Sequence, residues 1–142
     1  MAFRLVNEDI DFPEIDKRQI KKWVNKVIEH HSKHVGEITY IFTSDRNILK
    51  VNQDFLQHDY YTDVITFDYC EENNVSGDIY ISLDTVKSNS QKFDQEYSRE
   101  LLRVIIHGIL HLIGFMDKSD EDAKEMRQQE ELALGIFDGL AL

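Results

Sequence analysis

Proline is nearly absent from this 142-residue chain; Pro13 is the only one. With six glycines and no tract rich in Pro, Gly or Ser, nothing marks a linker or a low-complexity tail. The length then suits one domain over residues 1–142. Cysteine is equally scarce. A lone Cys70 excludes an internal disulfide and any zinc framework built from cysteines. Long apolar runs are missing too, since no window approaches the roughly 18 apolar residues of a membrane span. The opening stretch, residues 1–17, has no apolar run behind a basic one and does not read as a secretory signal. A soluble protein of a reducing, cytoplasmic compartment is expected. Basic residues are the last shortage: 16 Lys and Arg stand against 27 Asp and Glu, a net charge of −11. That balance excludes nonspecific coating of nucleic acid, which draws on clustered bases, and binding to anionic membrane surfaces.

What the chain does hold is aromatic bulk and unevenly placed charge. Eight Phe, six Tyr and one Trp supply enough volume for a core and argue against disorder. Residues 1–50 carry nine bases and eight acids, residues 51–118 five and twelve, and residues 119–142 two and seven. A strand is expected at Ala2–Leu5. Pro13 and Asp16 open a helix reaching about His31, with Ile20, Trp23, Val24, Val27 and Ile28 on one face. Its other face gathers Lys17, Arg18, Lys21, Lys22 and Lys26. Glu37–Phe42 reads as a strand, and Ser44-Asp45 caps a helix carrying Ile48, Val51, Phe55 and Leu56. Asp63–Asp68 and Asp78–Ser82 read as strands separated by a polar turn segment, Glu71–Gly77. Helices are expected at Asp84–Gln91, Ser98–Ile113 and Asp120–Leu134. The fold class is α+β, a single domain whose sheet is covered by helices.

The strongest signal lies between Val104 and Asp117. A helix apolar on nearly every side is a buried one, yet this one carries His107 and His111. The i, i+4 spacing sets both imidazoles on one face, one turn apart, as a metal ion requires. Gly108 in mid-helix costs about 1 kcal/mol against Ala, so a close approach is expected there. Gly114 fits a C-terminal cap, and the reversal it permits returns Asp117 towards the two rings. A His–His–Asp set with open positions suits a catalytic zinc site. The alternative is two core histidines bonded to backbone or carboxylates.

These residues also carry a resemblance. His107 to Phe115, HGILHLIGF, resembles the H-G-x-L-H-L-x-G-[YF] signature of the YbeY family of bacterial endoribonucleases and ribosomal-RNA maturation factors. Asp59 to Phe67 resembles that family's D-x-P-T-D-V-L-S-F stretch, and Gly77 to Ser82 its G-D-I-x-I-S strand. In order and spacing the matching blocks cover roughly residues 40–131. The resemblance implies a small mixed sheet of about four strands packed with helices, with a metal site like that of zinc proteases of the metzincin kind. It implies a metal-dependent hydrolase cleaving single-stranded RNA, acting at the 3′ end of small-subunit ribosomal RNA and in ribosome quality control. One Zn2+ per chain is expected, held by His107, His111 and Asp117, with His107 and His111 as the catalytic positions. The expected partners are ribosomal RNA and ribosomal proteins or the small subunit; neither DNA nor membrane is expected.

Two departures stand out. The family usually places His ten residues after the first ligand, where this chain has Asp117. Asp is an acceptable zinc ligand, but its charge makes bound water less acidic than in a three-His site. The family commonly carries Arg where Leu56 stands, and Leu cannot bind phosphate. His58 can, when protonated, or can relay a proton; the alternative is a solvated loop histidine. Asp63 is either a turn residue before its strand or a group that orients water or substrate. Lys118 is either a phosphate contact or a surface lysine. The acids of the final helix, Glu121, Asp122, Glu125, Glu130 and Glu131, read as a solvated face or as a surface for a basic ribosomal protein. A peptidase of the H-E-x-x-H type needs a Glu as general base where this chain has Gly108.

Overall fold

The computed structural model describes residues 2–56 and 62–140. Nine elements follow one another: β1 (Ala2–Asn7), α1 (Lys17–His30), β2 (His34–Thr43), α2 (Asp45–Leu56), β3 (Val64–Asp68), β4 (Asn74–Ser82), α3 (Leu83–Lys92), α4 (Tyr97–Ile113) and α5 (Asp120–Leu140). The strands form one mixed sheet in the order β1-β2-β4-β3. β1 and β4 both run parallel to β2, and β3 pairs antiparallel with β4. The expected α+β fold is present, with four strands and five helices among the described residues.

Alternation along the strands decides what lies on each face. Ile79 and Ile81 point from β4 into the main core, where they join Ile38, Tyr40 and Phe42 of β2. Tyr80, between them, packs on the other face with Ile48 and Val51 of α2 and with Ile65 of β3. The main core is closed by the apolar stripes of α1 and α5 around α4. Trp23, fully buried on α1, donates its indole N–H to the Ala133 carbonyl of α5 at 2.7 Å. The buried Tyr40 hydroxyl donates to the Ile105 carbonyl of α4 at 2.7 Å and ties that helix to the middle of the sheet. At the start of α1, Asp16 accepts from the backbone N–H groups of Arg18 and Gln19, as an N-cap should.

Three boundaries differ from expectation by three residues or more. The expected turn segment Glu71–Gly77 shrinks to Glu71–Asn74, closed by backbone bonds in both directions between those two residues. Glu72 takes the left-handed φ of 52° that so tight a turn needs, and Asn74 already pairs with His34. β2 therefore begins at His34. Gly36 sits where β2 is irregular, and a Cβ there would lie 2.1 Å from Ser76 Oγ, which accepts from the Glu37 N–H. Finally, α5 runs to Leu140 rather than Leu134. Ile136, Phe137 and Leu140 still pack on the core, with Phe137 edge-on to Trp23 at 5.0 Å.

Candidate metal centre

α4 is the element that sets the site. Eight of its residues from Leu101 to Leu112 are buried, so its azimuth is fixed by packing. Gly108 lets it approach the sheet closely: a Cβ there would stand 2.8 Å from Ile79 Cγ2 and 3.5 Å from Thr66 Cγ2. With that face against the sheet, His107 and His111 emerge together near the open end, their ring centroids 4.6 Å apart. Gly114 then ends the helix at φ 126°, its N–H bonded to the Leu110 and His111 carbonyls. The reversal brings Asp117 back. Its Oδ2 lies 3.5 Å from His107 Nε2 and 3.4 Å from His111 Nε2.

Those separations test the fit of an ion. Two donors each about 2.1 Å from a tetrahedral zinc are about 3.4 Å from one another. One ligand atom from each of His107, His111 and Asp117 lies within 4.8 Å of the others, so the three can hold a metal ion. Partial exposure of all three side chains, at 20%, 23% and 45%, leaves an open side for water or substrate.

The surroundings hold a group that the sequence reading misplaced. Glu130 belongs to no solvated face: it is only 6% exposed, and its Oε2 lies 2.7 Å from His107 Nδ1. Its Oε1 accepts from Arg103 at 3.0 Å, and Arg103 also donates to Glu131 at 2.6 Å. The buried stripe of α5 is Met126, Glu130, Ala133 and Leu134, spaced as a helix face. Glu130 falls on that stripe, a signal present in the sequence and outweighed there by its acidic neighbours.

Burial disfavours the charged imidazole of His107, but the bond and charge of Glu130, with the charges of Asp63 and Asp117, outweigh it and raise the pKa. Burial and the charge of His107 lower that of His111, although Asp117 pulls the other way. Burial opposes charge on Glu130 as well, yet its bonds to His107 and Arg103 hold the carboxyl below its usual range. Asp63 enters β3 with its carbonyl accepting from the Ser82 N–H at 2.9 Å. Burial pushes its carboxyl up, partly offset by the charge of His107, so it sits within electrostatic reach of the site. Lys118 is exposed. His58 lies outside the described residues. Cys70, against the Leu112 carbonyl, has its thiol pushed up chiefly by burial.

A family model described as Endoribonuclease YbeY matches residues 5–138. The chain belongs to the YbeY family. Proteins named Endoribonuclease YbeY from Phocaeicola vulgatus and Bacteroides fragilis are 54% and 52% identical to it, the alignments covering 92% and 96% of this chain and 94% and 98% of theirs. The protein of that name from Porphyromonas gingivalis is 55% identical over 89% of this chain and 84% of its own. A solution structure from Thermotoga maritima, 30% identical, superposes with a TM-score of 0.70 over 97% of this chain and 90% of that one. The region matched by the YbeY family model includes the two-histidine helix with Gly108 and Gly114, and Asp117 beyond it. No described helix is long and apolar enough to cross a membrane.

Proposed function

We propose that this chain is a metal-dependent endoribonuclease cleaving single-stranded RNA in the maturation of small-subunit ribosomal RNA. His107, His111 and Asp117 hold one zinc ion, in a single cytoplasmic domain that works with ribosomal proteins. The observation that carries the reading is the convergence of two Nε2 atoms and Oδ2 in a chain matching the endoribonuclease family over residues 5–138. Bound there, a divalent ion supplies Lewis acidity towards a phosphoryl oxygen and lowers the pKa of a nearby water.

The protein's own groups do the rest. His111, its pKa lowered, offers the neutral imidazole that ligation needs. Asp63, half-buried and within reach of the charge of His107, accepts a proton from the attacking oxygen in this reading and orients it. Gly108 offers no carboxylate, which disfavours peptide hydrolysis by the H-E-x-x-H route. Lys17, Arg18, Lys21, Lys22 and Lys26 are all exposed on α1 and supply phosphate contacts in an otherwise acidic molecule.

Protein purified without a nickel column should contain one zinc per chain, and His111→Ala should lose the metal. Cleavage of single-stranded RNA should fall at least about 100-fold with it. A His111→Ala variant of unchanged metal content overturns the ligand assignment. A His107→Ala variant that still restores ribosomal-RNA processing in cells lacking the gene overturns the catalytic reading in favour of an assembly role.

A further inference from the structure

Each side of the His107 ring meets a carboxylate. Nε2 faces Asp117, at 3.5 Å, and Nδ1 meets Glu130, at 2.7 Å. A neutral imidazole keeps one hydrogen, and which nitrogen carries it is settled by the neighbours. Both carboxylates can only accept, but Glu130 at 2.7 Å makes the short hydrogen bond and Asp117 at 3.5 Å does not, so in the neutral ring the hydrogen resides on Nδ1 and the Nε2 lone pair is left on the side of Asp117.

Glu130 is itself held on both oxygens. Oε2 takes the His107 bond and Oε1 takes that of Arg103, one helical turn before His107 on α4. Arg103 is steadied in turn by Glu131. The chain of groups therefore begins and ends on α4 and passes through α5, fixing both the position and the rotation of the ring. Pure packing does not require it, because a buried ion pair is seldom more stabilising than an apolar side chain of similar size. At position 130, between Met126 and Ala133 on a buried stripe, an apolar residue would serve the core as well.

We infer that Glu130, held by Arg103, is a positioning residue that fixes His107 with its Nε2 lone pair free for the metal. The inference rests on the proposal that His107 and His111 ligate an ion. Outer partners of ligating histidines typically govern about 10–100-fold in metal affinity.

The test measures zinc affinity of the full-length apoprotein by competition with a chromophoric chelator, beside long-range 1H–15N spectra of its histidines. Glu130→Ala should weaken zinc binding towards the upper end of that range, and Glu130→Gln, which still accepts a hydrogen bond, by less. Asp138→Asn, which breaks only the surface pair with Arg99, should leave affinity unchanged. In the metal-free parent, at a pH where the His107 ring is neutral, its hydrogen should lie on Nδ1, and in Glu130→Ala it should spread over both nitrogens. Affinities within twofold of the parent for both Glu130 variants, or a neutral parent His107 whose single hydrogen lies on Nε2, overturn the inference. If His111→Ala also leaves zinc affinity unchanged, the fault lies in the metal site itself. The near-isosteric Glu130→Gln keeps the test valid should Glu130→Ala fold poorly.

Discussion

Gly108 is where helix and sheet come nearest beside the site, and its missing side chain is what allows it. Alanine is the better helix former by about 1 kcal/mol. Its methyl would meet Ile79 Cγ2 at 2.8 Å, and Ile79 is fully buried with little room to yield. Overpacking of this kind typically costs about 1–3 kcal/mol. Gly108→Ala should therefore destabilise the protein by up to about 2 kcal/mol in urea titration, and tilt both imidazoles enough to weaken zinc binding. A more stable Gly108→Ala protein would mean that α4 shifts freely on the sheet. At this scale much of the site was legible in the sequence. The i, i+4 histidines, a glycine at each key place and the offset to Asp117 are all local, and local spacing survives folding. Glu130 was hidden because its partner is 23 residues away on another helix. Only the register of α5 on α4 brings the two together.

Among the elements, α4 is seated by more than its apolar surface. The Tyr40 hydroxyl, at zero exposure, gives its hydrogen to the Ile105 carbonyl, two residues before His107. Burial holds that phenol well above its ordinary pKa, so it remains a donor at any working pH. Removing the hydroxyl should cost about 0.5–1.5 kcal/mol. Tyr40→Phe is expected to lower the urea midpoint accordingly while leaving the slope unchanged, since the surface exposed on unfolding is the same. The elements themselves followed from apolar periodicity and caps, but their ends did not. Gly135 and Gly139 make residues 135–140 look like the tail after a helix. Ile136, Phe137 and Leu140 keep the helix going, because burial against the core outweighs the cost of two helical glycines. At the other boundary, the polar residues Asn74 and Ser76 were legible as turn formers. Pairing with β2 draws them into a strand, a contact between segments about 40 residues apart that no local pattern encodes.

For the molecule as a whole, charge and substrate pull in opposite directions. A net charge of −11 opposes a polyanion, while five exposed bases on α1 favour it. The balance predicts weak binding of naked single-stranded RNA, with a Kd of about 10–100 μM near 150 mM salt. Each phosphate contact on a single strand adds about −0.7 to the slope of log affinity against log salt. Lys21→Glu with Lys22→Glu should weaken binding and flatten that slope by about 1.4, as read by fluorescence anisotropy between 50 and 200 mM salt. Tight binding that ignores salt would show that the grip lies elsewhere.

The bond between α5 and His107 also sets an order of events during synthesis. Chain growth delivers His107, His111 and Asp117 before Glu130. At about 5–20 residues per second the gap between the last two is on the order of a second. Through that interval the nascent chain already holds its three candidate metal ligands, but the first imidazole lacks its carboxylate. Trp23 also lacks the carbonyl of residue 133 that receives its indole hydrogen. The cluster at the end of α4 thus depends on a carboxylate that synthesis delivers after all three of its candidate ligands.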